Sequence, residues 1–556
     1  MKPTSKNQMG SWALLLLLMV IPTVSWTKDS YPKNPAIDVL NYTFEIQLSD
    51  RHDTIKCNTT VDFRAMEAGV GQLRLDLINA KSQLQGKGME VEGVEMGGVK
   101  LKYSHEEDVL MVDLPQPSQV NERFQIVVRY RGIPAEGLYI GVNKYGDRTF
   151  FSDNWPNRTR HWLATVDHPY DKAKCEFYVT APDHYQVVSN GLKKEETNLD
   201  NGLKMTHWLQ SVPIATWLYV LGVADFAVQY VDEFDGKSIQ TWVFRQDRDE
   251  GFFDFATPTK QVLEFYSEYI GPFAYEKLAN IQSNSVSGGM EAASAILYSA
   301  NSVVGDRNER WRNVVIHEIA HQWFGNAVTE YDWDDVWLSE GFATYFTLLF
   351  IEHYYGRDAF IKGLESSQRR VNAFHEKFPD YTIVHNNLSD MSQVTTSQTY
   401  QKGSWVLHML RGVIGTEVFW KGIRQYYHTY MNGHASTADF QRIMEEVSGV
   451  DLSVFFQQWL YRGGELMVEG EWEYAPSKGE VYIELLQIQS GDYVFEMPIE
   501  VAIEDQNGQR EIRVLTLNQK KQSFILSDFK SEPYRILLDP NYWVLMKGAM
   551  RKQTKY

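Results

Sequence analysis

Val314-Val315-Ile316-His317-Glu318-Ile319-Ala320-His321-Gln322-Trp323-Phe324-Gly325 is the stretch on which the reading of this 556-residue chain turns. It has helix-like periodicity and contains the pattern H-E-x-x-H. On a helix, residues four apart project from one face, one turn apart. Two imidazoles so placed reach a single zinc ion at about 2.0–2.1 Å, while Ile319 and Ala320 pack on the opposite side. Downstream, Asp335-Val336-Trp337-Leu338-Ser339-Glu340-Gly341-Phe342-Ala343-Thr344-Tyr345-Phe346 is an apolar run able to form a second helix. Glu340 stands in it at the spacing H-E-x-x-H-x18-E. His317, His321 and Glu340 form a His₂Glu set that leaves a fourth position for water, which separates a catalytic zinc from a structural one. Taken singly, the histidines read as surface residues of an amphipathic helix and the glutamate as solvated. The joint spacing favours the metal.

The surroundings of this core divide into three. From about Asp38 to Tyr230, period-two alternation such as Tyr42, Phe44, Ile46, Leu48 and Phe124, Ile126, Val128, Tyr130 predicts half-buried strands of a mostly antiparallel domain. After about Asp232 come helical candidates: 257–270, 308–324, 338–354, 358–377, 404–414, 418–431 and 437–447. Ser436 is placed to cap the last, and Gly415 to end the helix starting at Ser404. From about Gly464 alternation returns, as in Met497, Ile499, Val501 and Ile503. The expected division is a leader over 1–26, an N-terminal β domain over 27–231, a zinc catalytic domain over 232–463 and a C-terminal β domain over 464–556. The fold class is multidomain α+β.

The segments 317–326 and 337–346 resemble those of the M1 family of gluzincin aminopeptidases, relatives of aminopeptidase N and leukotriene A4 hydrolase, and the resemblance runs from about residue 38 to the end. It implies a saddle-like antiparallel N-terminal domain, a thermolysin-like, mainly helical catalytic domain and a small C-terminal β-sandwich. The chain ends soon after that last domain, which implies a short form without the C-terminal helical domain of many relatives. Gly288-Gly289-Met290-Glu291-Ala292 is similar to the family's exopeptidase signature G-x-M-E-N. Glu291 is then expected to bind the substrate's free α-ammonium by a charge-assisted contact, and the glycines and Met290 to let a peptide strand approach closely. Two positions depart from the family: Ala292 stands where Asn is usual, and Trp155 where Glu or Gln often assists in holding the amine, with Asp153 and Asn154 as neighbouring substitutes. Tyr400-Gln401-Lys402-Gly403 is similar to the Y-x-K-G segment, which makes Tyr400 a donor to the oxyanion of a tetrahedral intermediate.

The expected activity is therefore a metalloaminopeptidase: one Zn²⁺ per chain on His317, His321 and Glu340, Glu318 as general base, Tyr400 on the oxyanion, and Glu291 setting register. The rivals are an epoxide hydrolase resembling leukotriene A4 hydrolase, a non-catalytic peptide-binding homologue and an endopeptidase. The last would ignore Glu291, and the second would not need all three ligands and Glu318.

A formal net charge of −18 argues against nucleic acid as a partner, since phosphate binding needs clustered Lys and Arg. Peptides with a free N-terminus are the expected partners. Lys2 and Lys6 precede an apolar run from Trp12 to Pro22, with small residues at Thr23 and Ser25. This reads as a secretory signal, or alternatively an uncleaved anchor, and implies export to a periplasmic or extracellular space without stable membrane insertion once it is removed. Cys57 and Cys175 are the only cysteines, and in such a compartment they either pair or remain as two buried thiols.

Overall fold

The computed structural model describes residues 29–384, 391 and 394–553, so the expected leader lies outside the described residues. The N-terminal part is built on an eight-stranded sheet whose centre is the strand Ile37–Gln47 between Ile55–Ala65 and Lys172–Pro182. The alternation read from the sequence is the observed burial: Tyr42, Phe44 and Ile46 face the core while Thr43, Glu45 and Gln47 do not. The pairing departs from a purely antiparallel sheet in one place. Ile37–Gln47 runs parallel to Lys172–Pro182 and antiparallel to Ile55–Ala65.

That arrangement also answers the cysteine question. Cys57 lies opposite Ile46 on one flank of the central strand, and Cys175 lies opposite Tyr42 on the other. Two strand spacings of about 4.8 Å separate their strands, beyond the Cα distance a disulfide tolerates. Both are buried free thiols.

A five-stranded sheet follows, in the order Phe226–Phe234, Lys237–Phe244, Lys277–Ser283, Ala295–Ser299 and Gly289–Met290. Every residue of Lys277–Ser283 and Ala295–Ser299 is buried, as expected of parallel strands covered on both faces. Among the described residues eight α-helices then account for most of the central part: α1 (Arg248–Tyr269), α2 (Glu309–His321), α3 (Trp337–Tyr355), α4 (Arg357–His375), α5 (Gly403–Ile414), α6 (Thr416–Tyr430), α7 (Thr437–Ser448) and α8 (Ser453–Leu460). The expected helix start at Thr257 is instead a break inside α1. Thr257 is extended (φ −130°, ψ 128°), and helix precedes as well as follows it. Ser436 caps α7 through a capping box with Asp439, as its position predicted.

Helix α3 is apolar almost all round and lies at the centre, packed on α2, α4 and α5. Beyond α8 come a four-stranded sheet (Lys521–Leu526, Glu480–Gln487, Leu466–Ala475, Met546–Lys552) and a three-stranded one (Arg510–Leu517, Met497–Glu504, Arg535–Leu538). His408 of α5 ties this β domain down. It accepts from Tyr345 Oη at 3.0 Å through Nδ1, donates from Nε2 to the Tyr542 carbonyl at 2.8 Å, and stacks on Trp543. No helix among the described residues is long and apolar enough to cross a membrane.

Candidate metal and peptide site

Helix α2 begins at Asn308, whose side chain accepts from the Arg310 N–H, and buries Val315, Ile316, Ile319 and Ala320. Its opposite face carries His317 and His321, whose Nε2 atoms lie 3.1 Å apart. Glu340 enters from the first turn of α3, where the helix N-terminus favours a carboxylate. Glu340 Oε2 stands 3.4 Å from His317 Nε2 and 3.2 Å from His321 Nε2, and it is buried with no hydrogen-bond partner. A tetrahedral ion with bonds of about 2.0–2.1 Å places its ligand atoms roughly 3.3–3.4 Å apart. The three donor atoms stand close to that spacing, and the orphaned carboxylate oxygen lacks what a metal ion would supply.

The tautomer of His321 agrees. Its Nδ1 lies 3.2 Å from the Phe324 carbonyl, which can only accept, so Nδ1 carries a proton in either charge state and loss of the second proton frees Nε2 for an ion. Ser339 Oγ, 3.1 Å from the same Nδ1, completes this outer contact.

Glu318, between the two histidines in sequence, is 6% exposed. The edge strand Gly289–Met290 runs directly over it. A Cβ on Gly289 would lie 2.2 Å from Glu318 Oε1, so only glycine leaves the Glu318 carboxyl group where it stands. Being the last strand of its sheet, Gly289–Met290 presents an unpaired edge to an extended peptide. Gly288, just before it, accepts the Ser299 N–H through its carbonyl.

Glu291 follows at once. It is 5% exposed, and its Oε1 is buried without a partner, 4.0 Å from His321 Nε2. Burial and the nearby Glu340 raise its carboxyl to about 7, against the lowering pull of His321. Burial, with Glu291 next, also holds Glu318 well above the usual carboxylate range. Glu340 goes the other way: burial raises it, but His321 and His317 outweigh this and hold it at about 2. For His321, burial lowers the imidazole and the charges of Glu291 and Glu340 outweigh that, raising it to about 10. Three carboxylates thus converge on two imidazoles, an acidic enclosure that stabilises a dication or an ammonium.

Tyr400 lies in a single π-helical turn, Gln398–Lys402, a form that recurs at functional sites. It arrives there because α3 and α5 approach backbone to backbone: a Cβ on Gly341 would be 3.0 Å from Gly403 Cα. Tyr400 Oη donates to Glu340 Oε1 at 2.7 Å, and burial, with Glu340, raises its pKa well above the phenolic value, so it is a neutral donor.

The structure therefore brings together His317, His321, Glu340, Glu318, Glu291, Met290, Gly289 and Tyr400. Trp155 is used differently. Its ring packs edge-on against Trp217 at 4.8 Å and Trp333 at 5.1 Å. Of the neighbouring substitutes, Asn154 is committed to Trp162 Nε1 and the Tyr219 carbonyl, and Asp153 pairs with Arg158. A second cluster, Asp29, His168 and Asp332, also gathers metal-type ligands. There the Lys33 ammonium already contacts Asp332 at 3.0 Å. His168 Nδ1 accepts the Tyr170 N–H, which leaves the proton on Nε2, facing Asp29, where a metal would need a lone pair. Sequence reasoning missed Ser339, Gln322 and Asn326, although all three lie inside the quoted segments or between them.

Residues 39–218 match the family model of the peptidase M1 N-terminal domain, and residues 255–459 that of the peptidase family M1 domain, together well over half of the chain. Glutamyl aminopeptidase from Sus scrofa is 28% identical over 326 residues, covering 56% of this chain and 34% of the relative. Probable aminopeptidase 1 from Saccharolobus solfataricus is 25% identical over 513 residues, 86% of this chain and 62% of the relative. Among solved structures, aminopeptidase A of Legionella pneumophila in complex with aspartic acid superposes with a TM-score of 0.79 at 20% identity, over 95% of this chain and 61% of that one. An M1 zinc metallopeptidase from Deinococcus radiodurans gives 0.65 at 23%, over 76% and 93%. These likenesses show the fold. The chain spans about a third of the length of the glutamyl aminopeptidases it matches.

Proposed function

The chain belongs to peptidase family M1, and from that premise we propose that it is a zinc-dependent aminopeptidase, with one zinc ion per chain, releasing residues from the free N-terminus of peptides. The observation that carries the reading is Glu291: a buried carboxylate with an unpartnered oxygen 4.0 Å from a metal-type histidine, at the end of an open strand edge. An α-ammonium bound there places the first peptide bond beside the cluster.

His317, His321 and Glu340 would hold the ion. Bound there, zinc would polarise the scissile carbonyl and lower the pKa of a water molecule. Glu318 takes the proton of the attacking water and delivers it to the leaving amine. The Tyr400 hydroxyl turns from Glu340 Oε1 to the oxyanion as charge develops there. The glycine edge pairs with the substrate backbone, and Glu291 fixes the register.

The test is mass spectrometry of a hexapeptide digest. Successive loss of single residues from the N-terminus supports the reading, and internal cleavage or none would sink it. Export is a separate part of the proposal. It is supported by Lys2, Lys6 and the apolar run Trp12–Pro22, and N-terminal sequencing of protein recovered outside the cytoplasm checks it. An N-terminus still at Met1 would count against a cleaved signal.

A further inference from the structure

We infer that Gln322, assisted by Asn326, is the positioning residue that sets the distance between the amine-binding carboxylate and the metal. The inference rests on the aminopeptidase reading and deepens it.

Where the family signature has an asparagine, this chain has Ala292, whose methyl group is buried and offers no hydrogen bond. The loop is held from elsewhere. The main-chain carbonyl of Glu291 accepts from Asn326 Nδ2 at 2.6 Å and from Gln322 Nε2 at 3.0 Å. Gln322 Oε1 in turn accepts the Ser294 N–H at 2.9 Å. Both Gln322 and Asn326 are fully buried.

One carboxamide therefore closes the turn from both ends, donating to residue 291 and accepting from residue 294. Among side chains of this length, glutamine supplies a donor and an acceptor side by side. The turn needs holding, because Ser294 is a non-glycine residue at φ 64°, a conformation favoured only when its surroundings impose it. The N-terminal part of the chain grips the other side: Asn190 Nδ2 donates to the Ala293 carbonyl at 2.7 Å, and Gly191 N–H to Ser294 Oγ at 2.8 Å.

Gln322 directly follows His321. The metal-type imidazole and the clamp on Glu291 are thus adjacent residues at the C-terminus of one helix, and the 4.0 Å between His321 Nε2 and Glu291 Oε1 is bridged by one peptide unit, the Gln322 side chain and its hydrogen bond. A purely space-filling role would not need both ends of the amide to be bonded.

The test compares Gln322→Glu, which keeps the acceptor and loses the donor, with Gln322→Met, which loses both. Asn190→Ala, acting on the same turn from the other side, serves if neither folds. Zinc content and thermal midpoint are recorded for each. Two inhibitors separate the subsites: n-butylamine, which addresses only the amine site, and acetohydroxamate, which addresses only the metal. Loss of one buried hydrogen bond predicts about a tenfold rise in KM for a free aminoacyl-arylamide and about a tenfold weaker n-butylamine inhibition. Acetohydroxamate inhibition and zinc content stay at the wild-type level. Unchanged KM and n-butylamine inhibition would overturn the inference, as would equal weakening of both inhibitors with zinc loss, which would place the effect on the metal helix. Wild-type protein that neither turns over free amines nor binds n-butylamine would instead overturn the aminopeptidase reading itself.

Discussion

Gly289→Ala adds one methyl group where the strand edge crosses the proposed base. The new Cβ would stand 2.2 Å from Glu318 Oε1, 2.3 Å from Cδ and 2.4 Å from Cγ. Non-bonded carbon contacts settle at about 3.5–4.0 Å, so the carboxyl group must retreat by about 1 Å or more. The clash is with the end of a flexible side chain, and Gly289 carries no left-handed φ. The fold therefore survives, with a stability loss of about 1–3 kcal/mol typical of overpacking. Catalysis does not absorb the movement as easily, since a 1 Å misplacement of a reacting group costs on the order of 100-fold. The expected result is a fall of about 100-fold in kcat on a free aminoacyl-arylamide, with zinc content near wild type because His317, His321 and Glu340 are untouched. Steady-state kinetics, atomic absorption and a thermal melt on one preparation check this. A kcat within about twofold of wild type would refute the placement of Glu318 under the edge strand. A rise in KM alone would mean that the methyl blocks the peptide rather than the base.

Other perturbations follow from the same geometry. Glu340→Gln removes the charged ligand, and its zinc affinity should fall by more than the roughly 10–100-fold typical of outer contacts, read as zinc retained after dialysis. Tyr400→Phe removes the neutral donor, with an expected loss of about 10²–10³ in kcat and little change in KM or zinc content. Acid should loosen the C-terminal β domain through His408, which burial holds at about 3. The unfolded chain binds this proton near pH 6.5 and the folded one only near 3, so stability falls as the pH is lowered across that window. The slope is about 1.4 kcal/mol per pH unit from this group, read by urea unfolding between pH 7 and 4. His434, also held at about 3 by burial, adds to the same window, so the check is that His408→Asn shows a shallower slope than wild type.

How much was legible in the sequence depended on how local the signal is. The candidate metal cluster was readable as a spatial grouping because one helical turn fixes His317 relative to His321, and the apolar α3 fixes the face from which Glu340 emerges. The glycine edge was readable as chemistry, but the reason for Gly289 lies in Glu318, 29 residues later, and needed the fold. The strands Lys277–Ser283 and Ala295–Ser299 were passed over because, buried on both faces, they show no period-two alternation. The short α8 and the first turns of α1 lay outside the helical candidates for want of long periodic runs. Gln322 and Asn326 were in plain view beside the histidines, yet their partner Glu291 lies 31 and 35 residues upstream. Whether the cysteines pair followed from strand order, and the role of Trp155 from its packing on Trp217 and Trp333; neither is encoded in nearby residues.

The central claim, metal-dependent hydrolysis directed by a free amine, is tested most directly by paired free and N-acetylated aminoacyl-arylamides, each with and without a zinc chelator. The account predicts cleavage confined to the free amines, abolished by the chelator and restored by added zinc. Equal cleavage of the acetylated series, or cleavage that persists when the metal is removed, would contradict it.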